Sequence, residues 1–286
     1  MKTEKGLLIT QLLLILSALF IVESDVSAKI IRDFKSIDLA DSLRNEFDKG
    51  PYFSLYKDNY FTAGGPIGQR PNRANCDVKF QISIAQRLTK SKLPFNSFLF
   101  VMYTQKTFWN VFEDSMPMGD INFNPGIGIS KPLFNKDRYI GKATILLEHE
   151  SNGRDSIWSR SWERISFMAS VAIDNWLTVH AKFWIPIIDG VHNKDILKYA
   201  GIYQTGLTVT TPDKRFWWSL LLTKRQGWNL NFNTTFEFAW RIKKSWNQYF
   251  FVQYYNGYAE NLLYYNQFRS RLHLGFVIKP RFFSDF

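Results

Sequence analysis

Segments in which apolar and polar residues alternate recur along this sequence from about residue 52 to its end. In residues 77–84 the even positions are apolar and the odd positions polar, and residues 230–240 and 271–279 repeat this pattern with few exceptions. A period of two places successive side chains on opposite faces of a β-strand. Within these segments, no stretch approaches the run of apolar residues that a membrane-spanning helix requires. The sequence therefore predicts an all-β chain.

The N-terminus has the features of a secretory signal peptide. Two lysines precede a mostly apolar run from Leu7 to about Val22, and small residues end the segment at Ala28. An uncleaved transmembrane anchor is the alternative, but the run is shorter than the roughly 20 residues that a spanning helix needs. We therefore expect cleavage after Ala28 and export of residues 29–286.

Residues 29–51 are predicted to form an N-terminal periplasmic segment. Apolar residues between Arg32 and Lys49 recur near helical spacing, which indicates a short helix. Residues 52–286 form the remaining domain, and its single cysteine, Cys76, excludes an intramolecular disulfide framework and a cysteine-rich metal site. Something other than disulfides must therefore hold this exported domain together.

The composition favours a transmembrane antiparallel β-barrel over a soluble sandwich. Aromatic residues make up 17% of the sequence while the mean hydropathy is only −0.22, as expected for half-polar strands with aromatic girdles at their ends. A closed barrel also leaves no strand edge unpaired in lipid. The net charge of +11 indicates contact with anionic lipid headgroups or lipopolysaccharide, and no nucleic-acid partner is expected. We count about twelve candidate strands, near residues 58–64, 76–88, 97–109, 121–131, 138–150, 161–174, 176–187, 199–211, 214–225, 229–242, 246–257 and 268–279.

The strongest chemical signal lies where the predicted fifth strand meets a polar loop. The odd positions 139–147 are apolar, so His149 and Ser151 continue a face that points outward at the edge of the lipid. In the next strand, Glu163 begins another nearly apolar odd-numbered face. If the two strands form an antiparallel hairpin, His149, Ser151 and Glu163 meet on one face.

These three residue types are what acyl transfer requires, namely a nucleophile, a base and a group that orients the base. A carboxylate at the lipid boundary is costly without a partner, which favours contact between Glu163 and His149. His149 would then take the proton of Ser151, and the backbone N–H groups of Ser151 and Gly153 would stabilise the oxyanion. A lone His-x-Ser pair on a strand is usually non-catalytic, and it is the lipid-facing position that favours chemistry here.

Residues 149–162 also carry a family signature. The sequence His-x-Ser-Asn-Gly-Arg, followed by Ser-Arg-Ser-Trp, resembles that of the outer-membrane phospholipase A family, and shorter matches occur at 53–56, 77–81 and 103–106. The resemblance covers roughly residues 52–286 and implies a twelve-stranded barrel in the bacterial outer membrane. It further implies a calcium-dependent enzyme, active as a homodimer, that cleaves acyl chains from membrane phospholipids and lysophospholipids.

The resemblance also implies roles for residues outside the Ser/His pair. Calcium would lie near Ser159 and the Arg154 carbonyl, and a ligand from the second subunit would come from around Ser115. Gln105 resembles the polar residue that is buried at the dimer interface of the family. By position in the family motif, Ser151 resembles the nucleophile, His149 the base and Gly153 a contributor to the oxyanion site.

Glu163 is an important departure from the signature, because the family pattern has asparagine there. A carboxylate orients an imidazole as well as an amide does, so we predict retained activity. Two other functions stay open. A catalytically silent porin-like or structural barrel would carry the Ser/His pair without chemistry. A soluble serine esterase would need a Gly-x-Ser-x-Gly elbow, which the sequence lacks. Two further strand histidines, His180 and His273, are interpreted as structural.

Overall fold

The computed structural model describes residues 42–135, 138–187, 191–243, 245 and 247–280. The predicted signal peptide and most of the predicted periplasmic segment lie outside these residues. The chain divides into two compact units. In the smaller unit, residues 42–48 form a helix, and the ring of Phe47 stacks on that of Tyr139 at 5.3 Å. The larger unit contains Gly50–Leu133 and Ile140–Phe286.

Antiparallel strands make up most of the described chain. Short helical turns lie at Pro94–Asn96, Ser156–Trp158 and Ile196–Ala200. The described residues form thirteen strands: β1 (Phe53–Leu55), β2 (Asn59–Pro66), β3 (Asp77–Arg87), β4 (Phe98–Trp109), β5 (Met118–Asn135), β6 (Arg138–Ser151), β7 (Ser161–Ala172), β8 (Leu177–Ile187), β9 (Tyr203–Thr210), β10 (Phe216–Lys224), β11 (Phe232–Trp240), β12 (Gln248–Gly257) and β13 (Arg269–Ile278).

The strands close into a barrel. β1 and β2 pair with successive parts of β3 and therefore share one place in the wall, while β2 pairs with β13 and β3 pairs with β4. Thirteen strands with one shared place give a ring of twelve. The prediction of a twelve-stranded antiparallel β-barrel is thus confirmed. A helix long and apolar enough to cross a membrane does not occur among the described residues.

Alternation along each strand sorts the side chains between the outer surface and the lumen. On β6, Ile145 and Leu147 are 53% and 50% exposed, whereas Leu146 and Glu148 are buried. Apolar side chains that remain exposed in row after row mark a surface that faces lipid. The odd-numbered face of β6 is therefore the lipid-facing one.

Some strand boundaries differ from those predicted. β5 extends from Met118 to Asn135, beyond both ends of the predicted strand, and Phe53–Leu55 adds a strand that was not predicted. The strand predicted to begin at residue 199 begins at Tyr203, because Ile196–Ala200 forms a helical turn. Gly201, with φ of 81°, ends that turn and donates its N–H to the Leu197 carbonyl. A glycine in this conformation is a common helix terminator.

The loop between β12 and β13 folds into the lumen. Its Leu262 and Leu263 N–H groups donate to Asn122 Oδ1 at 3.1 Å and Asp120 Oδ2 at 3.0 Å, on a strand four places away in the wall. Leu262 also belongs to a buried cluster with Trp162. The loop therefore closes part of the lumen and braces the inner side of β5 and β7.

A buried ion pair fixes the same loop to the wall. Glu260 Oε1 accepts a hydrogen bond from Lys79 Nζ at 3.0 Å, and Arg271 lies 4.0 Å from its other oxygen. Burial by itself would raise the pKa of the Glu260 carboxyl, but the positive charges of Lys79 and Arg271 lower this pKa to about 2. The carboxylate is therefore ionised at neutral pH and holds the loop in place.

Candidate active site

His149 and Glu163 meet on the outer surface of the barrel. They are paired Cα partners on β6 and β7, and His149 Nδ1 lies 2.7 Å from Glu163 Oε1. The two side chains are 41% and 29% exposed, and the next pair on the same face is the apolar Leu147 and Ile165. A polar pair thus stands at the end of an apolar, lipid-facing surface.

Ser151 is the last residue of β6 and lies two positions beyond His149 on the same face. Its Cα partner across the hairpin is Ser161, the first residue of β7. Two hydroxyls, one imidazole and one carboxylate are therefore grouped at this end of the hairpin. This is the set of residue types required for a serine nucleophile activated by an oriented base.

The loop between β6 and β7 is built around Asn152. The buried Asn152 side chain donates to the Trp158 carbonyl at 2.9 Å and accepts from the Arg160 N–H at 3.0 Å. Its own N–H donates to the Arg160 carbonyl at 3.0 Å. These bonds fix the backbone immediately after Ser151, where a tetrahedral intermediate would need donors.

Gly153 occupies a position that only glycine fits without strain. Its φ is 63°, and a Cβ placed on it would lie 2.8 Å from Cε2 of the Phe123 ring. Both the left-handed backbone and the close aromatic ring exclude a larger side chain. The loop backbone therefore lies directly against β5 beside the Ser/His pair.

The candidate calcium ligands lie on the same loop. Among the described residues, neither the Arg154 carbonyl nor the Ser159 hydroxyl takes part in a hydrogen bond. Ser115, with φ of 66°, lies in the β4–β5 loop at the same end of the barrel. The described residues contain no cluster of three or more His, Cys, Asp or Glu side chains that would hold a metal ion. A calcium site here would depend on carbonyl and hydroxyl oxygens, which calcium accepts.

Gln105 lies on the outer face of β4. Its Cα partners are Ile82, which is exposed, and Phe123. The Gln105 side chain accepts from the Tyr103 hydroxyl at 2.9 Å and donates to Thr107 Oγ1 at 3.2 Å. An amide with two polar neighbours is unusual on a lipid-facing wall, where polar groups are costly.

The inner face of the hairpin carries an ion network that the sequence analysis did not assign to the site. Glu148 is 1% exposed and accepts hydrogen bonds from Arg164 Nη2 at 3.0 Å and from Lys182 Nζ at 2.6 Å. Arg164 Nη1 also donates to Glu150 Oε2 at 2.8 Å. The sequence did contain an indication of this network, because the charged residues occupy even-numbered positions of β6, β7 and β8, the positions that face the lumen. The network joins the three strands on the luminal side of the wall, at the positions next to His149 and Glu163.

Two asparagines also support the site from distant parts of the sequence. Asn124 on β5 donates to the His149 carbonyl at 2.8 Å, and Asn193 donates to the Ser161 carbonyl at 2.9 Å. No local motif connects either asparagine to the site, because Asn124 lies on the neighbouring strand β5 and Asn193 lies in the loop between β8 and β9. Each holds the backbone of a residue whose side chain belongs to the outer polar group.

The other two strand histidines are internal. His180 is hydrogen-bonded to Ser170 at 2.6 Å and to Thr208 at 3.1 Å, and His273 to Asp77 at 2.9 Å. Both are buried in the lumen. They are away from the lipid-facing surface, and their partners account for them structurally.

A closed barrel that carries a serine, a histidine and a carboxylate together on its outer surface has the groups that an integral membrane hydrolase requires. The family model described as Phospholipase A1 matches residues 54–278, and the chain therefore belongs to the phospholipase A1 family. It is 32% identical to "Phospholipase A1" of Proteus vulgaris over 74% of this chain and 73% of that protein. It is also 32% identical to the Escherichia coli K12 enzyme of the same name, over 74% and 72%.

Solved structures agree with this membership. Outer membrane phospholipase A from Escherichia coli superposes with a TM-score of 0.69 and 24% identity, over 79% of this chain and 93% of that one. An active-site asparagine-to-alanine mutant of that protein gives a TM-score of 0.68 and 26% identity, over 79% and 91%. The calcium-bound dimer of the Salmonella typhi outer membrane phospholipase gives 0.71 and 24%, over 83% and 96%.

The chain is therefore a phospholipase of the bacterial outer membrane. The predicted family, the barrel, the enzyme class and the location are confirmed. The soluble-esterase alternative is wrong, because the fold is an outer-membrane barrel.

Proposed function

We propose that this phospholipase hydrolyses acyl esters of phospholipids and lysophospholipids with Ser151 as nucleophile, His149 as base and Glu163 as the group that orients the base. The observation that carries the proposal is the 2.7 Å contact between His149 Nδ1 and Glu163 Oε1 on the lipid-facing surface. A phospholipid in the outer membrane reaches such a site without leaving the bilayer. Binding therefore needs little more than the placement of its ester beside Ser151.

The contact determines which imidazole nitrogen is free. If Glu163 accepts the Nδ1 proton, Nε2 of His149 is left to accept the proton of Ser151. The Ser151 oxygen then forms a bond to the ester carbonyl carbon, and the backbone N–H groups at Ser151 and Gly153 stabilise the oxyanion. The bond to the alcohol breaks as His149 returns the proton to it. A water molecule, deprotonated by the same histidine, then attacks the acyl carbon. The bond to the Ser151 oxygen breaks, His149 returns the proton to that oxygen, and the fatty acid leaves.

Glu163 supplies a full negative charge where the family signature has asparagine. In the Escherichia coli protein an asparagine belongs to the active site, and one of the related solved structures is the variant in which alanine replaces it. An amide oxygen is able to accept the same proton from an imidazole, but a carboxylate also stabilises the imidazolium that forms during the reaction. We therefore propose that the substitution preserves the role of the position.

We propose calcium as the cofactor, bound at the β6–β7 loop. The Arg154 carbonyl and the Ser159 hydroxyl are oxygen donors with no hydrogen bond among the described residues, which fits the preference of calcium. Bound calcium would add positive charge beside the developing oxyanion. A related Salmonella typhi structure is a calcium-bound dimer, and this supports a homodimer in which the partner subunit adds a ligand from around Ser115.

We place Gln105 at the interface of that homodimer. Its amide and the Tyr103 hydroxyl lie on the outer surface, where pairing with a second copy would remove them from lipid. Crosslinking of the refolded protein in micelles with calcium or with EDTA tests calcium-stabilised pairing. Equal crosslinking in the two conditions would contradict it. Gln105→Leu should reduce the fraction of protein that is crosslinked as a dimer in calcium but not in EDTA.

The porin-like alternative is disfavoured by the lumen. The β12–β13 loop and the ion pairs cross it, and a cavity of about 250 Å³ lined by luminal residues such as Lys79, Arg164 and Glu260 lies between them. A conducting pore needs a continuous aqueous path. Planar-bilayer recording should accordingly show no stable conductance.

Phospholipid hydrolysis tests the proposed mechanism. Refolded wild type should release fatty acid in calcium but not in EDTA, and Ser151→Ala should release none. Ser161→Ala is the matched control, because Ser161 lies opposite on the same face and should retain most of the activity. Activity that survives in Ser151→Ala, or is lost equally in both variants, would refute the assignment.

A further inference from the structure

Asp120 is a buried carboxylate near the start of β5, behind the β6–β7 loop. It is 0% exposed, and its Oδ2 accepts hydrogen bonds from Asn122 Nδ2 at 2.6 Å and from the Leu263 N–H at 3.0 Å. Its Oδ1 has no hydrogen-bond partner. One oxygen thus holds the loop that fills the lumen, and the other remains available for a cation.

Among the described residues, Arg154 is the cation that forms an ion pair with that oxygen. Arg154 Nε lies 3.9 Å from Asp120 Oδ1, and Arg154 Nη2 donates to the Gly119 carbonyl at 2.8 Å and, less closely, to the Met118 carbonyl at 3.5 Å. The guanidinium is therefore held by three consecutive residues at the start of β5. The backbone of Arg154 follows Gly153 directly, and its carbonyl is the one proposed as a calcium ligand.

A buried carboxylate with one oxygen that accepts no hydrogen bond favours a nearby cation, because the burial of its charge is only partly compensated by the two bonds to its other oxygen. Arginine suits this role since it pairs with the charge while its other N–H groups bond the backbone. The side chain of Arg154 therefore acts as a tether from β5 to the active-site loop. The anchor of that tether also holds the luminal loop through Leu263.

We infer that Asp120 is a positioning residue, which fixes Arg154 and through it the backbone of residues 152–155 for oxyanion and calcium binding. This inference rests on the proposed function of the loop. It also joins the luminal β12–β13 loop to the active site, although the two lie on opposite sides of the barrel wall. No part of the sequence signature includes Asp120.

The test is Asp120→Asn in the refolded full chain. Asparagine keeps an oxygen to accept the Leu263 N–H but presents no charge, and its amide N–H₂ would face the guanidinium. We expect the calcium concentration for half-maximal hydrolysis to rise about fivefold, as for loss of one partly exposed ion pair. The rate at saturating calcium should change less, a split that general destabilisation does not produce.

A second readout needs neither calcium nor activity. Amide hydrogen exchange in EDTA should be faster across residues 152–160 in Asp120→Asn, while residues 258–268 stay as protected as in wild type. Arg154→Gln should give the same local increase, and the double variant should add nothing further. Asp174→Asn, which removes an exposed carboxylate at the far end of β7, is the control and should match wild type.

The outcomes separate this inference from the proposed function. Equal hydrolysis by wild type in calcium and in EDTA would refute the proposed cofactor. The hydrogen-exchange comparison would then decide whether Asp120 positions the loop. Unchanged exchange across residues 152–160 in Asp120→Asn would overturn the positioning role, whatever the activity. Effects of Asp120→Asn and Arg154→Gln that simply add would also overturn it, because they would then act independently.

Discussion

Removal of the Glu163 carboxylate should slow catalysis by an amount set by one hydrogen bond. Glu163 contacts His149 through a single 2.7 Å bond, and the two side chains are 29% and 41% exposed. Glu163→Ala deletes the bond, whereas Glu163→Gln keeps an acceptor and removes only the charge. The pair of variants therefore separates orientation of the imidazole from stabilisation of its cation.

The expected magnitudes follow from the type of bond. A hydrogen bond to a charged group contributes about 1.5–3 kcal/mol and a neutral one about 0.5–1.5 kcal/mol. Partial exposure of both groups favours the low end of each range. Glu163→Ala should then lower kcat by about 10- to 30-fold, because about 1.4 kcal/mol is a factor of ten. Glu163→Gln should lose about fivefold, the difference between a charged and a neutral partner.

The assay is hydrolysis of a micellar phospholipid at saturating calcium, with kcat and KM measured separately. KM should change little, since Glu163 acts on the base and not on the bound lipid. Asp174→Asn controls for the loss of one carboxylate, because Asp174 is exposed in the turn that follows β7. A Glu163→Ala enzyme within twofold of wild type would refute the role of this contact in catalysis.

Three further predictions concern the support of the site. Gly153→Ala should lower activity at least tenfold and the melting temperature by several degrees, because the new Cβ meets the Phe123 ring in a left-handed backbone; normal activity would contradict this. Glu148→Gln should cost about 3 kcal/mol of unfolding free energy in urea, since two buried cations lose their shared partner, and an unchanged midpoint would argue against the network. Because the pKa of Glu260 is about 2 when folded and near 4.3 when unfolded, its stabilisation is present above about pH 4.5 and is lost as pH falls towards 2. The urea midpoint should therefore fall less steeply over that range in Glu260→Gln, and parallel curves would refute the assignment.

The barrel followed from the sequence because the same period of two that predicts a strand also predicts which face meets lipid. Odd positions on β6 and β7 gave the outer face, and His149 and Glu163 are paired across it as that parity requires. The helical turn at Ile196–Ala200 was missed, because its apolar residues fit either period over so short a length. Boundaries that depend on one turn are decided by tertiary contacts.

The residues that support the site were harder to predict from the sequence than the residues on its outer face. Asn124, Asn193 and Asp120 contact the hairpin of β6 and β7 only because the fold places β5 and the loop between β8 and β9 beside it. These contacts join positions 25 to 34 residues apart, and neither periodicity nor a local motif identifies such pairs. The signature identified the chemical groups, while the geometry was needed to find what holds them.

The most direct test of the central claim is to identify the serine that becomes activated. Refolded wild type would be treated with a fluorophosphonate, which modifies nucleophilic serines, and the adduct mapped by mass spectrometry. We expect the label on Ser151, little or none after His149→Ala, and an unchanged amount after Ser161→Ala. A label on Ser161 or Ser159, or full labelling of Ser151 in His149→Ala, would contradict a serine activated by the His149–Glu163 pair.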